Sequence, residues 1–234
     1  MTERLENLAV VVPVREGSTR VRDKVLLPFT EEHNLLQWKL TQLLEVLPGE
    51  NIFVSTDSDR LKAAAREIGV SVHDREEYLC RGHVASFTEV ITGIVEDIPH
   101  PYIAWVTVVV PLMSPAQYEE GFRLFFDSVV RDRAHDSLVS VNLLKEYFWN
   151  DAGPLNYRAD RNHTISQDLP NIYRVTNGLY MRDRESILRD GYFLGPNPYR
   201  HVVDKIAGVD IDEWVDYQMA RALLPVYRQN LAER

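Results

Sequence analysis

Cysteine is all but missing from this chain: of 234 residues, only Cys80 carries a thiol. That excludes an internal disulfide and any zinc cluster built on cysteines, and it matches a reducing compartment. Long hydrophobic runs are missing too. The longest, Tyr102 to Met113, is interrupted by Thr107 and Pro111 and falls short of the roughly 18 apolar residues that a membrane-spanning helix needs. The N-terminal Met1–Asn7 mixes acids with bases before the short apolar run Leu8–Val14, unlike a secretory signal. The expectation is a cytoplasmic protein without a membrane partner. Bases are outnumbered, 26 against 35 acids for a net charge of −9. A long nucleic-acid polyanion is therefore repelled on average, and any bound anion is expected to be small and held locally. Neither G-x-x-x-x-G-K-[ST] nor G-x-G-x-x-G occurs, which removes two common glycine-rich phosphate loops. The seven histidines show no His-x-x-x-His spacing, so they are expected at the surface or at helix caps.

What is present is alternation. With 45% apolar and 26% charged residues the composition is that of one globular domain. Short β-branched runs at Leu8–Val14, Asn51–Ser55, Val70–His73, Ile103–Val110 and Ser137–Val141 are each followed by a stretch of helical period. Leu36, Leu40, Leu43, Leu44 and Leu47 form one stripe, closed by Pro48-Gly49. Further helices are expected over Asp59–Ile68, Ser86–Asp97 and Pro115–Arg131, the last opened by Ser114 as N-cap and Pro115 at the first helical position. This rhythm predicts an α/β fold: a mostly parallel, doubly wound, Rossmann-like sheet covered on both faces, with ligands beyond the carboxyl ends of its strands. The rhythm breaks over residues 142–174, rich in Asn, Tyr, Asp and Arg. That is too long for an ordinary loop, so the segment is expected to be a protrusion that packs on a partner or a lid over the site. Strands at Val175–Met181 and Ala207–Ile211 and a helix at Trp214–Leu224 are expected to complete the domain formed by residues 1–141 and 175–234.

Three stretches carry chemistry. Arg15 to Lys24 holds four bases and two acids in an acidic protein. Gly17 permits a turn there, and Ser18 and Thr19 add hydroxyls to backbone N–H groups that can cradle phosphate oxygens. A solvated basic loop is the alternative. Val54-Ser55-Thr56-Asp57 ends a strand at the expected ligand rim, or supplies a cap for the next helix. In Val209-Asp210-Ile211-Asp212, residues two apart in an extended chain face the same way, so Asp210 and Asp212 can share a hard cation such as Mg2+. Asp212 as the cap of the helix near Trp214 is the competing account, and it leaves Asp210 unexplained.

In this order the pieces resemble the cytidylyltransferases that activate acidic sugars, most closely the acylneuraminate (CMP-sialic acid) synthetase group, over nearly the whole chain. The family's Ala-Arg-x-x-Ser-Lys/Thr-x-x-x-x-Lys loop is matched by Arg15, Ser18 and Lys24. Gly17–Arg20 followed by Lys24-Val25 also looks like the Kdo and spore-coat types. Val54–Asp57, Arg75 with Leu79, Ser86, Asp136–Val141, Gln167-Asp168-Leu169-Pro170, Asn177-Gly178 and Asp210-Ile211-Asp212 follow in the family's order. The family's Leu-Gln-Pro-Thr-Ser-Pro-Leu stretch reads Val109–Pro115 here, without a clear counterpart of its sugar-contacting Gln. The residue before Gln-Asp-Leu-Pro is Ser166 in place of a base.

The resemblance implies an enzyme that transfers CMP from CTP to an acidic keto sugar and releases pyrophosphate, for glycan assembly. It implies Arg15, Lys24 and Asp212 as catalytic residues, Arg15, Ser18, Lys24, Arg75 and Ser86 around the nucleotide, and Gln167 and Asn177 around the sugar. Mg2+ on Asp210 and Asp212 and a homodimer formed through residues 142–174 are implied as well. A non-catalytic nucleotide-binding homologue, or a nucleotidyltransferase for another sugar, is the alternative.

Overall fold

The computed structural model describes residues 5–18, 20–81 and 84–233. Thr19, offered above as a hydroxyl donor, lies outside them. The strands are β1 (Leu8–Pro13), β2 (Ile52–Thr56), β3 (Ser71–Asp74), β4 (Tyr102–Trp105), β5 (Ser137–Leu144), β6 (Trp149–Asn150), β7 (Gly153–Pro154), β8 (Ile172–Asp183) and β9 (Pro198–Val202). The α-helices are α1 (Leu35–Leu44), α2 (Asp59–Ile68), α3 (Glu77–Cys80), α4 (Phe87–Val95), α5 (Pro115–Phe125), α6 (Arg184–Asp190) and α7 (Trp214–Ala232). One seven-stranded sheet runs β3-β2-β1-β4-β8-β5-β9, and β6 and β7 form a separate hairpin. Only β8 is reversed, antiparallel to both β4 and β5, and the other pairings are parallel. The expected doubly wound, mostly parallel sheet is what the chain forms.

The β-branched run of β1 has a direct reason. Leu8, Val10 and Val12 belong to the apolar layer under α1, α2, α5 and α7, while Ala9 and Val11 belong to a second layer with α4 and α6 on the other face. A central strand covered on both sides has no polar face to alternate with. Helix ends follow local chemistry. Asn34 with Gln37, Ser86 with Glu89 and Ser114 with Gln117 make capping boxes that open α1, α4 and α5. Ser58 caps α2, which closes on Gly69 at φ 86°, a left-handed position that glycine adopts without strain.

The structure corrects three expectations and adds two elements. The strand expected over Ile103–Val110 stops at Trp105. There Thr107 Oγ1 turns to donate to the Asn177 carbonyl at 2.7 Å and the chain leaves the sheet. Ala207–Ile211 is irregular: Asp204 Oδ1 accepts from the Ile206 and Ala207 amides, and Arg174 donates to Gly208 O. Side chains thus satisfy backbone groups that a neighbouring strand would otherwise pair. The edge strand β9 and the short helix α6 had no clear periodic signal. Nor are all the histidines superficial. His73 is buried between Ser55 Oγ at 2.9 Å and Asp97 Oδ2 at 3.1 Å. His201 is buried with Nε2 donating to Gln117 O at 2.9 Å, so both serve packing and hydrogen bonding inside the fold.

The irregular segment is a continuation of the sheet. β5 and β8 stay paired out to Leu144 and Ile172, and the chain between them forms the β6–β7 hairpin and a 3-10 turn at Ser166–Asp168. Tyr147 and His163 each meet Tyr157 edge to face there and lie tilted against one another, with Trp149 62% exposed.

Candidate active site

β1 and β4 are neighbours whose onward connections leave in opposite directions, which opens a crevice at their carboxyl ends. Two cavities lie there. One of about 300 Å³ is walled by Arg15, Ser18, Arg20 and Lys24 from the loop after β1, with Thr107 and Val109 opposite. The other, about 530 Å³, shares Arg15, Thr107 and Val109 and extends to Arg75, Trp105, Asn177 and the two aspartates. Gly17 makes the turn of the loop at φ 79°, a conformation that disfavours side chains bearing a Cβ. The first cavity is basic, and no acidic side chain lines it among the described residues.

Asp210 and Asp212 reach the crevice by a route different from the extended strand expected. Ile211 between them is fully buried, its N–H donates to Val109 O at 2.9 Å, and its carbonyl accepts from Lys24 Nζ. Pinning the middle residue turns both neighbours outward. The cap of α7 is Glu213, with Asp216 Oδ2 accepting from the amides of Asp212 and Glu213. Asp212 is therefore released from the capping role, and its Oδ1 stands 2.8 Å from Arg20 Nη2.

Asp210 is set more firmly. Opposite Ser140 the β8 strand bulges between its pairings of Val175 with Val141 and Tyr180 with Val139, and Ser140 Oγ fills the gap by accepting from Leu179 N at 2.9 Å. The bulge puts Asn177 at φ 60° and turns it into the crevice, a use of irregularity common beside functional sites. Asn177 Nδ2 donates to Asp210 Oδ2 at 2.9 Å, and Tyr180 OH donates to Asn177 Oδ1 at 2.6 Å. Burial pushes the Asp210 carboxyl above its usual range, against the opposing pull of Asn177 and of Lys24, while Asp212 adds to the rise. Burial lowers the Lys24 ammonium, and the two aspartates act against that. The other oxygen, Asp210 Oδ1, is buried without a protein partner.

That orphaned oxygen is the test of fit for a cation. Two hard carboxylates suit Mg2+, which keeps several positions for water and phosphate oxygens. The described residues contain no group of three or more His, Cys, Asp or Glu able to hold a metal by themselves. A cation here would therefore need its ligand to complete the shell.

The remaining sequence candidates divide. Arg75 is buried and braces the end of β1, donating from Nη2 to Val14 O and from Nε to Cys80 Sγ at 2.8 Å, while still lining the larger cavity. Ser86 is engaged as the cap of α4, one residue from the lining Ala85 and Phe87. Gln167 stands apart, exposed on the 3-10 turn of the protrusion and outside both cavities. Sequence reasoning missed the aromatic wall. Trp105, Phe193 and Tyr180 pack at 5.5 and 4.3 Å between ring centres, with Phe87 at 5.7 Å from Phe193. These rings come from four distant stretches, and nothing local marks them as neighbours.

Comparison with known proteins finds relatives in sequence and in fold. Residues 9–123 match the family profile described as cytidylyltransferase. The chain is 22% identical over 219 residues to the N-acylneuraminate cytidylyltransferase of Escherichia coli O18:K1:H7, covering 91% of this chain and 51% of that one. It thus spans about half the length of that relative. It is 20% identical over 226 residues to the CMP-N,N'-diacetyllegionaminic acid synthase of Campylobacter jejuni serotype O:2, covering 94% and 96% of the two chains. Its fold is similar to that of a CMP-2-keto-3-deoxy-manno-octonic acid synthetase solved in complex with CTP, with a TM-score of 0.62 at 15% identity over 93% of this chain and 98% of that one.

Proposed function

We propose that the chain is a cytidylyltransferase, as its similarities to that family support, and that it transfers CMP from CTP to an acidic keto sugar of the nonulosonic type. The observation that carries this reading is the basic cavity of Arg15, Ser18 and Lys24 set against the Asp210–Asp212 pair. The names of the relatives add the sugar class, because sialic, legionaminic and keto-deoxy-octonic acids are all acidic keto sugars.

In the reaction a hydroxyl oxygen on the anomeric carbon bonds to the α-phosphorus, the bond from the α-phosphorus to the β-phosphate oxygen breaks to release pyrophosphate, and the hydroxyl proton passes to water. Such transfers depend on positioning and on neutralising charge, without a covalent enzyme intermediate. Arg15 and Lys24 hold the triphosphate and offset the charge that grows on the departing pyrophosphate. Ser18 donates to a phosphate oxygen, and Arg75 and the α4 start at Ser86 flank the cytidine. Asp210 and Asp212 would hold Mg2+, which would supply positive charge to the α-phosphate and the attacking oxygen. Asn177 fixes Asp210, and the wall of Trp105, Tyr180 and Phe193 excludes water from the acceptor side.

CTP with Mg2+ is expected to raise the melting temperature, by about 2.7 kcal/mol of stabilisation at a hundred times Kd, and ATP or GTP far less. Equal shifts from all three nucleotides would remove the cytidine assignment. Pyrophosphate release from CTP across a panel of keto-acid sugars tests the transfer itself. A CTP shift with no release from any sugar would leave a nucleotide-binding protein.

The reading includes a homodimer through residues 142–174. The exposed Trp149, Tyr147, Leu155 and Ile165 suit a self-complementary apolar patch across a two-fold axis, and a neighbour's segment would bring Gln167 toward a sugar site it does not reach within its own chain. Sedimentation at micromolar concentration is expected to give twice the chain mass. A monomer at that concentration would make the protrusion a lid.

A further inference from the structure

We propose that Arg20 is a phosphate-binding residue held in reserve by Asp212. In the nucleotide-free protein its guanidinium neutralises that carboxylate, and it passes to the triphosphate when a divalent cation takes Asp212. The inference rests on the reading of Asp210 and Asp212 as the cation-binding pair.

The two carboxylates are treated differently in this structure. Asp210 Oδ1 has no protein partner, whereas Asp212 Oδ1 is covered by Arg20 Nη2 at 2.8 Å. One carboxylate of the pair has an unpartnered, buried oxygen and the other carries a cationic side chain. A divalent cation that draws on both carboxylates competes with Arg20 for the charge of Asp212 and weakens its hold on the guanidinium. The contact is suited to displacement: its side chains are 61% and 53% exposed, and exposed ion pairs are weak. Lys24 is placed otherwise, half-buried with one donor of its ammonium on the Ile211 carbonyl between the two aspartates, so it stays in place in both states.

Arg20, once released, already has a place to go. It lines the basic cavity beside Arg15, Ser18 and Lys24, where no acid competes for it among the described lining residues. Its planar fork of donors matches two phosphate oxygens at once. Each state satisfies its charge: Arg20 on Asp212 without ligand, metal on Asp212 and Arg20 on phosphate with it. Metal alone is resisted, metal with nucleotide is favoured, and the two bind with positive coupling.

The test is a pair of titrations of the full chain: Mn2+ without nucleotide, followed by electron paramagnetic resonance, and CTP with saturating Mn2+, followed by calorimetry. Arg20→Ala is expected to bind Mn2+ about two- to fivefold more tightly, the range of an exposed ion pair, and CTP about tenfold more weakly. Opposite signs mark the exchange, because damage to the fold would weaken both. Arg20→Lys is expected to keep wild-type Mn2+ affinity and to lose part of the CTP affinity. Arg22→Ala removes the same charge from a side chain that is 96% exposed and only 3.9 Å from its nearest partner, Asp23, and is expected to leave Mn2+ affinity near wild type. If Arg20→Ala binds Mn2+ no more tightly, or CTP equally well, the exchange is overturned, while the metal pair stands so long as Asp212→Ala loses Mn2+. If neither the wild type nor Arg20→Ala binds Mn2+ even with CTP, the metal pair fails and the exchange falls with it.

Discussion

Asp212→Ala is expected to abolish pyrophosphate release, a loss of about 100-fold or more, in a protein that stays folded with a near wild-type melting temperature. The two halves of that expectation have separate causes. Asp212 is half-exposed, is not the cap of α7, and makes one exposed ion pair with Arg20, so its removal costs stability less than about 1 kcal/mol. In the proposed mechanism its work falls in the transition state, where a bound cation would orient the α-phosphate. Asp210→Asn sharpens the contrast. The buried carboxyl of Asp210 is held above its ordinary pKa chiefly by desolvation, so the folded state resists its charge, and the stability it withholds is recovered as pH falls through that raised value toward the ordinary carboxylate range. An amide keeps the shape and drops the charge, and it can still accept from Asn177. The expected result is an equal or higher melting temperature at neutral pH together with lost turnover. Release at the wild-type rate in both variants would strip the pair of its catalytic role.

Much of the fold was legible because its signals are local. Ser58, the apolar spacing of Leu61, Ala64 and Ala65, and Gly69 mark α2 from end to end, and the helix occupies the span expected of it, Asp59–Ile68. The run Leu8–Val14 reads as a strand because both of its faces are buried. β9 was hidden for the opposite reason: at the sheet edge, paired only to β5, it carries Pro198, Arg200 and His201 and shows no period. The site divides along the same line. Arg15, Ser18, Lys24, Asp210 and Asp212 lie in short motifs that a chain shows to the eye, and the structure brings them to one crevice. What joins them does not lie in motifs. The Arg20–Asp212 contact, the Asn177–Asp210 bond and the wall of Trp105, Tyr180 and Phe193 depend on strand order and on a bulge. Ser86 shows the limit of motif reading, since one serine satisfies both a family position and a capping box.

Lys24→Met is expected to lower turnover by about 100-fold or more, as loss of other charge-neutralising contacts does, with a smaller effect on CTP binding. Methionine keeps the length of the apolar stem beside Val25 and removes the ammonium, so the loss reports charge more than packing. Two tasks meet at that ammonium. It faces the cavity in which the triphosphate is proposed to lie, and it holds the Ile211 carbonyl, which turns Asp210 and Asp212 outward. Burial lowers its pKa while the flanking aspartates support its charge. The two tasks are separable by a second variant. Arg15→Ala removes a cation that lines both cavities without holding the Asp210–Asp212 segment. If neutralisation alone matters, both variants lose turnover by a similar factor and bind Mn2+ as the wild type does. If Lys24 also seats the aspartates, only Lys24→Met loses Mn2+ affinity. Near wild-type turnover in both variants would return the Arg15–Lys24 loop to a solvated basic turn and move the phosphate site elsewhere in the crevice.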